Sequence, residues 1–224
     1  MNGNDRVVLI AGSTGALGAA VTGVFLESGY RIGALHRGAP PPAHDRIIPL
    51  EADLTRTDQV TRAVTNLLAQ TGRIDALINT VGGFAAGRLA ETTDEQWQRL
   101  LTLNLTTAMI LSRAVLPHMI ARAEGRLIHV ASKAARAPFP GAAAYLVSKS
   151  ALLGLVQVLA VELAGTGVTA NAILPGIIDT PANRADMPDA ETSTWVPPRA
   201  VAQLMLELCT PGASHRTGES ILIG

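Results

Sequence analysis

The stretch Arg6–Ala11 (RVVLIA), followed at once by GSTGALG and a helical run, constrains the fold more than any other part of this 224-residue chain. A short apolar run rich in β-branched residues, without polar alternation, belongs to a strand covered on both faces. Such strands occur in parallel sheets whose crossover helices pack on either side. The unit repeats along the chain. Spacing predicts a helix over Ala16–Ser28 closed at Gly29, a strand over Tyr30–Leu35 and a loop at HRGAPPPAHD. A strand over Ile47–Leu50 and a helix over Thr57–Gln70, stopped by Gly72, come next. Ala76–Asn79 reads as a strand, and Asp94 opens a long helix to about Arg122 with an apolar face at Trp97, Leu100, Leu101, Leu105 and Met109. Beyond it lie a strand at Arg126–Ala131, a helix at Ala143–Ala164 and a strand at Val168–Leu174. A long polar loop, Pro175 to Pro198, precedes a helix to about Leu208 and a last strand at Ser220–Ile223. The expected class is α/β, a doubly wound parallel sheet of about seven strands with helices on both faces. No repeat or linker divides residues 1–224, which read as a single domain.

Composition narrows the function classes. Apolar residues make up 48% of the chain but aromatics only 3%, so the core must be packed mainly with Ala, Val, Leu and Ile. Formal net charge is zero, with no basic run or acidic tail, which argues against nucleic acid or an anionic membrane surface as partner. The opening MNGNDR is polar, no apolar stretch of about 18 residues escapes polar interruption, and a spanning helix is not expected. A lone Cys209 excludes an intrachain disulfide and fits a reducing, cytoplasmic setting. The histidines (36, 44, 118, 129, 215) are scattered, no HExxH or paired CxxC exists, and no metal site is expected.

Right-handed crossovers place every strand's carboxyl end on one edge of such a sheet, where ligands bind. Each unusual feature here follows a strand. Gly12-Ser13-Thr14-Gly15-Ala16-Leu17-Gly18 joins the first strand to the first helix. Glycines there permit a tight turn and close backbone approach, and a helix start offers free N–H groups to a pyrophosphate. A tight βα turn also favours glycine for itself. At the end of the second strand an NAD site usually carries an acid; here stand Leu35-His36-Arg37. Arg37 can meet a 2′-phosphate with charge-assisted bonds, so NADP(H) is the preferred cofactor, with NAD(H) still possible. The alternative is that Arg37 is an ordinary loop cation.

The chain holds two tyrosines (Tyr30, Tyr145) and two lysines (Lys133, Lys149) against sixteen arginines. Tyr145 and Lys149 are four apart and share one helix face. A phenol is a poor acid–base catalyst at neutral pH unless a fixed positive charge lowers its pKa. Tyr145 therefore reads as a general acid/base and Lys149 as its tuner. The bland alternative is an amphipathic Tyr at a helix start and a solvated Lys.

Together these residues resemble the short-chain dehydrogenase/reductase family over essentially the whole chain, which implies a Rossmann-type fold. Matching pieces are Gly12–Gly18, Asp53, Asn79-Thr-Val-Gly82, Asn104, Ser132, Tyr145-x-x-x-Lys149, and Pro175-Gly176 with Thr180; Ser132 precedes Tyr145 by thirteen residues. The resemblance implies an NAD(P)H-dependent oxidoreductase transferring hydride to a carbonyl substrate. Tyr145 would protonate the oxygen, Ser132 would hold it, and Lys149 would bind the nicotinamide ribose. Asn104 would anchor a water leading to Lys149, or else simply bond backbone. Asp53 with Leu54 would contact the adenine, and Asn79, Val81 and Gly82 would line the cofactor. Pro175, Gly176, Ile178 and Thr180 would meet the nicotinamide end. Two departures stand out, Ala16 where the family has its second glycine and Thr80-Val81 within the usual NNAG.

GSTGALG, VGGFAAG and LPGIIDTPANRADMPDAETSTW are similar to dihydropteridine reductases, which implies a pterin-like substrate as the alternative to a carbonyl. Those enzymes generally lack the Ser and carry an acid where His36 stands. Pro181–Val196, with Met187 and Trp195, reads as a substrate lid, and Trp97 as helix-face core. Surplus apolar surface on the two longest helices, together with the resemblance, implies a homodimer or homotetramer. A non-catalytic dinucleotide sensor on the same fold is the reading from another class, disfavoured by Ser132, Tyr145 and Lys149 together. Epimerase or dehydratase chemistry is disfavoured because no added substrate domain is present. Lys133 has no role that the sequence supplies.

Overall fold

The structure, a computed structural model, describes residues 6–224; the first five residues of the polar opening lie outside it. Seven parallel strands form one sheet in the order β3-β2-β1-β4-β5-β6-β7. They are β1 Val7–Ala11, β2 Arg31–His36, β3 Ile47–Glu51, β4 Ala76–Asn79, β5 Gly125–Val130, β6 Val168–Pro175 and β7 Ser220–Ile223. Every residue of β1, β4, β5 and β6 is buried, whereas the edge strands β3 and β7 are partly open. That contrast is why the central strands read as unbroken apolar runs.

Period-two alternation divides each central strand between two cores. Val7, Leu9 and Ala11 face one layer with Leu111, Val115, Leu152 and Val156, and Val8 and Ile10 face the other with Val21, Phe25, Val201 and Met205. The first layer holds α2 (Thr57–Thr71), α4 (Thr107–Ala121) and α5 (Ala143–Glu162). The second holds α1 (Ala16–Glu27) and α7 (Pro198–Leu208).

Three expectations need correction. The long helix is α3 (Asp94–Leu101) and α4 joined by a π-helical turn, Thr102–Thr106, that carries Asn104. Such turns admit an extra residue and are frequent at functional sites. Trp97 lies on α3 and is half-buried, because α3 runs out over α5 and only its Leu100 is fully covered. The loop after β6 contains a short helix, α6 (Pro181–Asp186), capped by Thr180 Oγ1, which accepts the Asn183 N–H at 3.2 Å. By length and composition alone Asp94–Ala121 and Ala143–Glu162 would pass as membrane-crossing helices. Here each lays one face on the sheet, and Asn104, Ser148 and Lys149 are buried with that face.

Candidate active site

The strand order reverses between β1 and β4, and the crevice outside their carboxyl ends is where ligands sit on such sheets. Thr80 spans it, its N–H and its hydroxyl both donating to the Ala11 carbonyl at 3.1 and 2.8 Å. A cleft of about 380 Å³ opens there, lined by Gly12, Gly15–Gly18, Thr80, Val81, Gly82, Thr180 and Ala182. Gly12 adopts φ +81°, a left-handed conformation that side chains disfavour. A Cβ on Gly18 would stand 1.9 Å from the Gly12 carbonyl oxygen, so helix and turn touch only because Gly18 has none. The start of α1 has no side-chain cap and no acid in its first turn. Its N–H groups therefore face the cleft without a competing protein anion, which suits a pyrophosphate.

A second cleft of about 290 Å³ continues along the same edge, sharing Gly12 and Val81. Thr14, Leu35, His36, Arg37, Ala52, Asp53, Leu54 and Thr55 line it, with Leu103 and Thr107. Bonds from the Thr55 N–H at 2.9 Å and hydroxyl at 2.7 Å hold the Asp53 carboxyl below its usual range, and the Arg37 charge adds to this. His36 Nδ1 lies 3.0 Å from the Gly38 carbonyl. Two joined clefts, one beside a helix start and one beside Arg37 and Asp53, fit the two ends of a dinucleotide.

Ser132 follows β5, and Tyr145 and Lys149 lie one turn apart near the start of α5. Burial raises the Tyr145 phenol, and the Ser132 side chain pulls the other way. The Ser132 hydroxyl oxygen accepts the Ala134 N–H at 3.2 Å. Lys149 is fully enclosed and donates to the Val130 carbonyl at 2.8 Å, and burial lowers its pKa to about 8. Desolvation dominates at the phenol.

Gly82 connects cleft and catalytic residues. It lines the first cleft, and a Cβ on it would stand 2.8 Å from Lys149 Nζ and 2.9 Å from Asn104 Oδ1. Asn104 clamps the neighbouring Gly83, accepting its N–H at 2.9 Å and donating to its carbonyl at 3.0 Å. The same amide donates to Ser148 Oγ at 2.9 Å, and Ser148 donates to the Tyr145 carbonyl at 2.8 Å. Asn104 is therefore a backbone clamp linking the loop after β4 to the helix of Tyr145.

Not every expected residue reaches the clefts. Ser13 is buried, with its hydroxyl spent on the Leu35 carbonyl at 3.1 Å. Asn79 is buried behind the cleft, its Oδ1 accepting the Val81 N–H at 3.1 Å. Pro175 closes β6, Gly176 N–H bonds the Ile223 carbonyl and Ile178 pairs with Val196, so of that group only Thr180 lines the first cleft. The Pro181–Val196 segment is tied off at its base, since Val196 N–H donates to the Ile177 carbonyl and the Val196 carbonyl accepts from Asp179. Trp195 is buried there rather than facing the cleft. Lys133 donates to the Gly224 carbonyl at 3.1 Å. Residues the sequence did not single out are Ser148, His129 and Phe84. Phe84 is 57% exposed yet meets the Tyr145 ring edge-on at 5.0 Å. Its signal was an exposed aromatic in a chain with few. Among the described residues no group of three or more His, Cys, Asp and Glu is placed to hold a metal ion.

Residues 6–191 match the sequence profile of the family described as short chain dehydrogenase. The chain is 34% identical over 200 residues to 2-(R)-hydroxypropyl-CoM dehydrogenase of Xanthobacter autotrophicus, covering 83% of this chain and 80% of that protein. It is 28% identical over 238 residues to the 3-oxoacyl-(acyl-carrier-protein) reductase FabG of Thermotoga maritima, covering 96% and 95%. The solved structure described as ElxO with NADP bound shares the fold, with a TM-score of 0.90 at 24% identity over 98% of this chain and 97% of that one. With the family pattern spanning all but the last part of the chain, this protein belongs to the short-chain dehydrogenases, NAD(P)-dependent oxidoreductases built on a doubly wound parallel sheet.

Proposed function

We propose that residues 1–224 act as a single NADP(H)-preferring domain that reduces a carbonyl compound to an alcohol, or runs the reverse. The observation that carries this reading is Lys149 Nζ set against Gly82 of the first cleft, with Tyr145 one turn before it on α5 and Ser132 at the end of β5. When bound, the nicotinamide supplies the hydride. Gly12, Thr14, Gly15, Ala16, Leu17 and Gly18 hold the pyrophosphate side, and Asp53 and Leu54 the adenine. Val81, Gly82 and Thr180 hold the nicotinamide end.

Tyr145 gives its phenolic proton to the substrate oxygen as that oxygen gains negative charge, and Ser132 donates a second hydrogen bond to the same atom. A phenol kept protonated by burial suits the acid role, which is typically worth 10²–10⁴-fold. Lys149 stabilises the phenolate that remains and holds the ribose. His36 and Arg37 line the second cleft where a 2′-phosphate would lie, which supports NADPH over NADH. The substrate is a small carbonyl compound; the relatives named for acyl and hydroxyalkyl substrates support the class and not the compound. Val147, Val158 and Val161 project from α5 as exposed apolar residues, which supports assembly into a homodimer or homotetramer.

The test is a panel of ketones, acyl thioesters and quinonoid dihydropterin with NADPH and NADH, followed by absorbance. The expected outcome is turnover of a carbonyl with NADPH that Tyr145→Phe lowers by about 10²–10⁴-fold while nucleotide binding survives. Undiminished turnover by Tyr145→Phe refutes the catalytic assignment, and turnover of the dihydropterin alone favours the pterin reading.

A further inference from the structure

His129 is fully buried in β5 between apolar neighbours and lines neither cleft, and no step of the proposed reaction uses it. It nonetheless sits in a chain of bonds that ends at the cleft. The Ser112 hydroxyl donates to the Ala108 carbonyl at 2.8 Å, which leaves its oxygen to accept. His129 Nε2 lies 3.1 Å from that oxygen, and His129 Nδ1 lies 3.4 Å from Asn79 Nδ2. An amide nitrogen only donates, so Nδ1 must be the bare acceptor and Nε2 must carry the proton. Asn79 is thereby locked in one orientation, with Oδ1 on the Val81 N–H at 3.1 Å. Val81 lines both clefts, and a Cβ on Gly82 beside it would stand 2.8 Å from Lys149 Nζ and 2.9 Å from Asn104 Oδ1. The register places Asn79 directly beside His129 on adjacent strands, so this coupling is built into the sheet.

We propose that His129 is a positioning residue for nucleotide binding, which accepts from the Asn79 amide, keeps Asn79 Oδ1 on the Val81 N–H, and so holds the Val81–Gly82 turn in the shape that admits the dinucleotide. The proposal rests on the reading of the two clefts as the nucleotide site. Without the ring, the buried Asn79 amide has no acceptor and gains by turning, which releases the Val81 N–H.

The experiment compares wild type, His129→Leu, His129→Asn and Ser112→Ala by NADPH fluorescence titration, thermal melting, steady-state kinetics and hydrogen exchange of segment 79–83. His129→Leu should raise the Kd and KM for NADPH about tenfold and leave kcat within about threefold. Exchange of segment 79–83 should quicken in the same variant. His129→Asn, whose Oδ1 stands in for Nδ1 toward Asn79, should bring both the Kd and the exchange rate most of the way back. If His129→Leu does not fold, Ser112→Ala carries the test, and its Kd should rise about threefold as the ring loses its fixed partner. An unchanged Kd in folded His129→Leu, or in Ser112→Ala should it replace that variant, overturns the assignment. So does a lower melting temperature with slower kcat and intact binding, the pattern of a merely structural histidine. Failure of the wild-type chain to bind either nucleotide overturns the reading of the clefts instead, a different result from wild-type binding that His129→Leu leaves intact.

Discussion

Gly18→Ala probes the β1–α1 turn most sharply. The new Cβ would stand 1.9 Å from the Gly12 carbonyl oxygen, 2.7 Å from the Gly12 carbonyl carbon and 2.9 Å from Ser13 Cα. All three are backbone atoms, so no rotamer change relieves the contact. Restoring an ordinary separation requires the turn and α1 to part by roughly 1.5 Å. The turn resists, because Ser13 Oγ is tied to Leu35, and Gly15 N–H bonds the Gly12 carbonyl at 3.0 Å. Overpacking of this kind costs about 2–3 kcal/mol, and in a chain of this length that lowers Tm by roughly 5–10 °C. The displacement falls on the N–H groups offered to the pyrophosphate, so the NADPH Kd should rise about 100-fold. Gly15→Ala is the control: its Cβ would meet only the Gly12 oxygen, at 3.4 Å, and its φ of −76° is ordinary for any residue. Its Tm should stay within about 2 °C of wild type. Thermal melts and fluorescence titration read both variants. Equal behaviour of Gly18→Ala and wild type, or equal damage by the two substitutions, would refute the packing account.

Asp75, buried at the opposite edge of the sheet, accepts the Val7 N–H at 2.7 Å and is gripped by Arg73 and, at 3.5 Å, by Arg122. Asp75→Ala should cost about 2–3 kcal/mol in urea unfolding, less than a wholly buried pair because Arg73 is partly exposed, and should leave the NADPH Kd unchanged. His129 is held at about 4 by burial and the Lys149 charge. Its depressed folded pKa means that the unfolded chain takes up a proton below pH 6.5 which the folded chain refuses. Stability from this group is therefore complete above pH 6.5 and falls toward pH 4, by about 3 kcal/mol in all. Denaturation at several pH values should show a shallower acid slope in His129→Asn, and an equal slope in both proteins would refute the linkage. Arg37→Ala should shift the preference for NADPH over NADH toward NADH by about tenfold or more, read from kcat/KM with each nucleotide. A wild-type preference for NADH of that size would overturn the role of Arg37.

Apolar runs bounded by glycine carried the strand and helix assignments to within a residue or two, because burial on both faces removes the polar alternation that blurs edge strands. The sequence by itself also determined that the odd residues gather at one edge, since parallel strands with right-handed crossovers leave no other arrangement. Tyr145 and Lys149 were legible for a similar reason, because two residues four apart on a helix must share a face.

Contacts between distant segments were decided only by the tertiary structure. Ser13 turned to Leu35 and Asn79 to His129 because each faced a buried acceptor that no local spacing reveals. Asn104 reached Gly83 through a π-helical turn whose extra residue leaves no mark in an apolar periodicity. The balance at Tyr145 likewise depends on enclosure by other segments. Desolvation raises its phenol and a serine thirteen residues away lowers it, while the lysine on its own helix binds the Val130 carbonyl. Local spacing can bring two groups to the same face, but burial and the partners across the fold set their chemistry.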